Sequence, residues 1–181
     1  MNASNDIRIR PYRVEDAPAL WEAVVESRAQ LEPWMPWCHA NYSIEEARDW
    51  IEEQVAALEQ GTAFEFAITR GDGSYLGGAG LNQIDRVNQR ANVGYWVRSS
   101  VTGTGAATRA VRLLRDWAFQ NTALVRLELL VAVGNVASHR VAEKCGAVRE
   151  GVLKRRLMLH GTARDATMHS ITRDVPANAT L

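Results

Sequence analysis

Thiols are scarce: Cys38 and Cys145 are the only cysteines in 181 residues. Two lone cysteines make no disulfide framework and give no metal-ligand spacing. Excess charge is absent too. Lys plus Arg number 21 and Asp plus Glu number 21, so the formal net charge is zero. A balanced chain lacks the field that captures nucleic acid or an anionic membrane surface. No apolar run approaches the roughly 20 residues of a membrane span. The start, Met1 to Asp6, is polar and has no apolar core of a signal peptide. These absences lead us to expect a reducing cytoplasm, no metal, no nucleic-acid partner and no membrane contact.

What is present is ordinary globular patterning. The chain is 46% hydrophobic and 23% charged, enough for one domain with a sizeable core. We expect that domain over 1–173 and a short tail over 174–181. A strand fits Ile7–Tyr12, by alternation. Asp16 opens a helix through Ser27, and Arg28–Tyr42 reads as irregular. Ser43-Ile44-Glu45-Glu46 is a capping box, starting a helix that Gly61 stops after Gln60. Strand patterns follow at Phe64–Arg70, Leu76–Asp85 and Asn92–Val97, as a meander. A helix fits Ala106–Gln120, a strand Leu124–Val133 and a short helix Asn135–Cys145. Two strands, Val148–His160 and Thr167–Thr172, flank a turn at Gly161–Arg164. The order implies an α/β (α+β) chain whose mixed, mostly antiparallel seven-stranded sheet is flanked by helices.

The most informative segment joins strand to helix at Trp96-Val97-Arg98 and Thr102-Gly103-Thr104-Gly105-Ala106-Ala107-Thr108. Unpaired amides at a helix start, the helix dipole and closely approaching glycines together make a diphosphate cradle. A P-loop needs a lysine that this loop lacks. A dinucleotide fingerprint needs a third glycine, where Thr108 stands, and an acid ending the next strand, whereas Glu128 lies within it. A plain helix start packed with small residues accounts for the loop alone equally well.

The loop resembles the acyl-CoA loop of the GNAT acyltransferase superfamily, whose motif falls on Thr102, Gly105 and Ala107; Thr102 replaces the usual Gln or Arg. Further matches follow in order: Gly94-Tyr95-Trp96-Val97, Trp117-Ala118-Phe119, Asn135-Val136-Ala137-Ser138, Glu143-Lys144-Cys145-Gly146-Ala147, Glu150-Gly151 and Arg164-Asp165. Leu31 to Trp37 and Ser43 to Ala47 resemble the RimJ/RimL branch. The resemblance spans roughly 7–172.

It implies the GNAT fold, with a splay between the fourth and fifth strands. It also implies an acetyl-CoA-dependent N-acetyltransferase acting on a primary amine, a protein N-terminus first. It places Trp96, Val97, Arg98, the loop 102–108 and Asn135 against CoA, with Ser138 beside the sulfur as proton donor to the leaving thiolate. An N–H near Val97 would serve the thioester oxygen. Trp34, Met35 and Trp37 are expected to wall the acceptor side, to cover the core, or to form a homodimer contact.

The family's glutamate position in the fourth strand is taken by Asn92, an amide that accepts no proton, and Leu157 stands where some relatives carry another. Glu128, His160 and a water chain remain as candidates. Without an evident base, an α-amine is the favoured acceptor: at pH 7 roughly one α-amine in seven is neutral against about one lysine in two thousand. A small-molecule acyltransferase, another donor such as succinyl-CoA, and a non-catalytic acyl-CoA-binding module stay open.

Overall fold

The first helix runs one turn further than its sequence reading. In the computed structural model, which describes residues 6–174, α1 spans Ala17–Leu31. Residues 28–31 are therefore helical rather than irregular. Leu20, Val24, Ser27 and Leu31 form one buried stripe, with the spacing of a helix face, and Pro33 disfavours helix at the residue before it. The expected tail after Asp174 lies outside the described residues.

The capping box forms as read. Ser43 Oγ accepts from the Glu46 N–H at 3.2 Å, and Glu46 accepts from the Ser43 N–H at 2.8 Å. It starts α2, Ile44–Gln60, which ends on Gly61 at φ 65°. Only glycine takes that left-handed turn without penalty.

One sheet holds all seven strands, in the order β1-β2-β3-β4-β5-β7-β6. These are β1 Ile7–Pro11, β2 Phe64–Arg70, β3 Tyr75–Asp85, β4 Arg90–Val97, β5 Arg126–Ala132, β6 Val148–Leu159 and β7 Thr162–Thr172. The remaining helices are α3 Ala106–Asn121 and α4 Val136–Lys144. The last strand begins at Thr162, five residues before the sequence reading. His160 and Gly161 both have positive φ, 48° and 72°. Two left-handed residues are what a tight two-residue hairpin requires, so the turn is His160-Gly161 and the pairing Leu159↔Thr162 closes it.

Strand alternation sorts two cores. Phe66, Ile68, Leu81, Val93 and Leu127 pack with Val111 and Leu114 of α3. Ala67 and Tyr75 pack with Leu20, Val24 and Ile51 of α1 and α2. Among the described residues no helix is long and apolar enough to cross a membrane.

The feature that positions the site is where pairing stops. β4 and β5 are parallel partners only over Arg90↔Arg126 to Asn92↔Glu128. β4 continues to Val97 and β5 to Ala132, so the sheet opens between them.

Candidate active site

The loop 102–108 supplies unpaired donors. Gly103 and Gly105 have φ of 80° and 88°, and Gly105 is the N-cap of α3. The first backbone bond into the helix is Arg109 N–H to Gly105 O, at 3.0 Å. The amides of Ala106, Ala107 and Thr108 thus precede the helical ladder and point out of its start. They border a cleft of about 540 Å³ whose lining includes Thr102, Gly103, Gly105, Ala106, Ala107 and Thr108.

Positive charge comes from α4. Its Arg140 and Lys144 line the cleft with Ala137 and Val141, one face of a helix by their spacing. Thr102 Oγ1 donates to Gln30 Oε1 at 3.0 Å, and Gln30 Nε2 reaches Val97 O at 3.5 Å. Gln30 escapes the sequence reading because that reading ends the first helix at Ser27.

Of the other expected residues, Trp96, Val97, Asn135, Ser138, Trp34 and Met35 line this cleft. Asn135 caps α4 through Oδ1, which accepts from the Ser138 N–H at 3.1 Å. Its amide nitrogen stays available as a donor. Arg98 N–H donates to Leu76 O at 2.8 Å, so alternation turns the Val97 N–H toward the opening beside β5.

Arg98, Thr104 and Trp37 lie off this cleft. The Arg98 carbonyl accepts from Val101. Its guanidinium pairs with Glu22 at 3.1 Å and with Glu26. That contact and the Ser100 N–H hold Glu26 down at about 2. Both backbone groups and the side chain of Arg98 are thus committed within the protein, which clamps the end of β4 to α1. Thr104 Oγ1 donates to Val101 O at 2.7 Å.

Trp37 belongs to a second chamber of about 630 Å³ on the α1/α2 side. Its aromatic walls include Tyr12, Trp37, Tyr42, Trp50 and Trp96. The Trp37 ring lies 6.0 Å from both Tyr42 and Trp96. Met35, Tyr95 and Trp96 line both spaces, so the chambers meet where the sheet opens.

Two polar groups of the second chamber, Tyr95 and Glu65, carry no role in the sequence reading. The Tyr95 hydroxyl lies 2.6 Å from Ser138 Oγ and donates to Ser138 O at 3.2 Å. Burial pushes Tyr95 up to about 12, against the Ser138 bond. Glu65 of β2 lines the second chamber, and burial raises its carboxyl to about 7, opposed by a bond from Asn82. The signals were the strand alternation that separates Glu65 from Phe64 and Phe66, and glycines in the two following strands.

The base candidates from sequence lie elsewhere. Glu128 is held by Arg90 at 2.9 Å and Arg126 at 2.8 Å. His160 Nε2 donates to Glu32 O at 2.6 Å, tying the last hairpin to the end of α1. Neither lines the cleft or the chamber.

A family model described as Acetyltransferase (GNAT) domain matches residues 6–148. The chain belongs to the GNAT acetyltransferase family. It is an N-acetyltransferase by that membership. It is 30% identical over 172 residues to a putative ribosomal N-acetyltransferase, YdaF, of Bacillus subtilis, covering 91% of this chain and 90% of that one. Mycobacterium smegmatis RimJ, solved in complex with CoA-disulfide, superposes with a TM-score of 0.84 at 30% identity, covering 92% and 81%. RimL, a ribosomal L7/L12 α-N-protein acetyltransferase solved in complex with coenzyme A, superposes at 0.86 with 25% identity, covering 96% and 97%. The split GNAT sheet, rather than any one motif, brings Gly105, Ser138 and Trp34 to one cleft.

Proposed function

We propose that this GNAT enzyme transfers the acetyl group of acetyl-CoA to the α-amino group of a protein N-terminus, with a ribosomal protein as the first candidate. The observation that carries the reading is the meeting of two chambers at Met35, Tyr95 and Trp96. One has free amides and two cations for a diphosphate. The other has aromatic walls for an acceptor. The ribosomal acceptor is supported by what YdaF and RimL are named for.

The donor's diphosphate rests on the amides of 105–108, with Arg140 and Lys144 lining the same cleft. The Val97 N–H donates to the thioester oxygen as negative charge develops there, the kind of donor worth about 3 to 4 kcal/mol. The acceptor nitrogen attacks the carbonyl carbon and the C–N bond forms. The C–S bond then breaks, and the thiolate takes a proton from Ser138 Oγ. With the Tyr95 hydrogen shared between Ser138 O and Oγ, the Ser138 hydrogen is left to point into the cleft.

A second reading is favoured by the rim of the acceptor chamber. Glu46, Asp49 and Glu53 of α2 line it beside the aromatic rings, a setting that suits a small polycationic amine. Thiol release measured with ribosomal N-terminal peptides and with polyamines decides between them. Higher kcat/KM on peptides supports the first reading, and turnover of polyamines alone replaces it. Mass spectrometry of cellular N-termini after deletion identifies the protein acceptor.

A further inference from the structure

We propose that Glu65 is the catalytic base, the group that takes the proton from the acceptor amine. The inference rests on the acetyl-transfer reading above and adds the step that reading leaves without a residue.

The geometry begins with the sheet register. Glu65 pairs with Gly80, and Gly80 with Gly94. These three positions form a row across β2, β3 and β4 on the face of the second chamber. Glycine at 80 leaves the carboxylate its place: a Cβ there would come within 1.9 Å of Glu65 Oε2 and push it aside. Gly80 and Gly94 thus leave a bare floor on which the carboxylate lies toward β4, the strand that borders the donor cleft.

The hydrogen bonding is sparse and directed. Glu65 Oε1 accepts from Asn82 Nδ2 at 3.4 Å. Asn82 Oδ1 in turn accepts from Asn92 Nδ2 at 2.9 Å. The Asn92 bond occupies the Asn82 oxygen and so aims the Asn82 amide hydrogens at Glu65. Asn92 accepts no proton itself, but it orders the carboxylate two strands away. Among the described residues no Arg or Lys pairs with Glu65.

The rival carboxylates of the chamber are placed otherwise. Glu46 is held by the Ser43 N–H and by His39 at 3.0 Å. Asp49 and Glu53 sit on the exposed side of α2. The other titratable groups facing the chamber are Tyr12, Tyr42, Tyr95 and His39. Burial raises the three tyrosines, Tyr42 and Tyr95 to about 12, so they stay protonated across the assay range. With no cation beside it, burial leaves Glu65 at about 7, where a base works best at neutral pH.

The proton balance closes. An ammonium acceptor gives one proton to Glu65, which passes it to solvent. The freed lone pair forms the C–N bond. The nitrogen of the tetrahedral adduct loses a second proton, which restores the hydroxyl that Ser138 has spent on the departing thiolate. The products are an amide, a thiol and one released proton.

The test uses the full chain, acetyl-CoA and two peptide acceptors, one with an ordinary α-amine and one with an amine already neutral at assay pH. Glu65→Gln keeps the shape and the Asn82 contact. We expect kcat/KM for the ordinary amine to fall about 10²- to 10⁴-fold, with a much smaller loss for the neutral amine. With the ordinary amine, the wild-type rise in rate through pH about 7 should move in Glu65→Gln to the amine's own value, near 8, and stay in place in His39→Gln. Calorimetric affinity for CoA should not change, which reports a folded donor cleft. Gly80→Ala, which evicts the carboxylate without removing it, should give the same pattern and serves if Glu65→Gln does not fold. Equal losses on both acceptors, or a loss under about tenfold, overturn the proposal. A wild-type enzyme that acetylates no amine overturns the transfer reading itself, a different outcome.

Discussion

Tyr95 on β4 reaches Ser138 on α4 across the opening in the sheet, with 2.6 Å between the two hydroxyl oxygens. The pair couples the strand that would hold the thioester to the helix that would protonate the sulfur. Removing either hydroxyl should leave the other misdirected. We expect Ser138→Ala to lower kcat about 10²-fold and Tyr95→Phe about tenfold. The double variant should be little worse than Ser138→Ala alone, because the two act as one unit. Steady-state kinetics of the cycle check this, and independent, multiplying losses would separate the two residues.

Arg140 and Lys144 line the same cleft as the free amides of the 102–108 loop. An interaction with a phosphate is the same in the ground and transition states. Arg140→Ala should therefore raise the KM for acetyl-CoA about tenfold with kcat nearly unchanged, about 1.4 kcal/mol of uniform binding. The effect should shrink at high salt. A loss confined to kcat would mean that Arg140 acts on the chemistry.

Arg98 should behave as a clamp. Its side chain joins Glu22 and Glu26 of α1, and its N–H is spent on Leu76. Arg98→Ala should lower the melting temperature while leaving the calorimetric affinity for CoA close to that of the wild type. If affinity falls instead with stability intact, Arg98 touches the donor.

Burial raises the Glu65 carboxyl to about 7 in the folded protein, against about 4.3 in the unfolded chain. The neutral acid is thus favoured by folding. Its stabilising contribution is full below the unfolded value and is lost as pH rises through about 7. Glu65→Gln removes that loss. Its stability relative to wild type should rise by on the order of 2 to 3 kcal/mol between pH about 5 and pH about 8.5. Urea unfolding at the two pH values measures it, and a constant difference would show that Glu65 is solvated.

Ser43, Glu46 and Gly61 announced α2 because a cap needs only partners within a turn. Gly103 and Gly105 announced the strand-to-helix loop for the same reason. The end of α1 is hidden in the sequence because the segment from Arg28 to Tyr42 holds two prolines and two tryptophans, while Leu31 is buried beside the core on the helix face. The last turn was misread because His160, a non-glycine residue, takes a left-handed conformation that its neighbours impose. The family resemblance sets the backbone of Arg98 beside CoA, but it does not tell where the side chain points; Glu22 and Glu26, more than seventy positions earlier, decide that.

The element order, the faces of the strands and the loop of free amides are legible from the chain alone, since each follows from periodicity or from contacts a few residues apart. The folded sheet decided which carboxylate lies on the strand side of the second chamber and which hydroxyl meets Ser138. Alternation tells which face Glu65 and Tyr95 occupy, but not what lies beside them. Only the register of β2, β3 and β4 sets Glu65 over Gly80 and beside Asn82. Only the early end of β4–β5 pairing opens the gap that Tyr95 crosses.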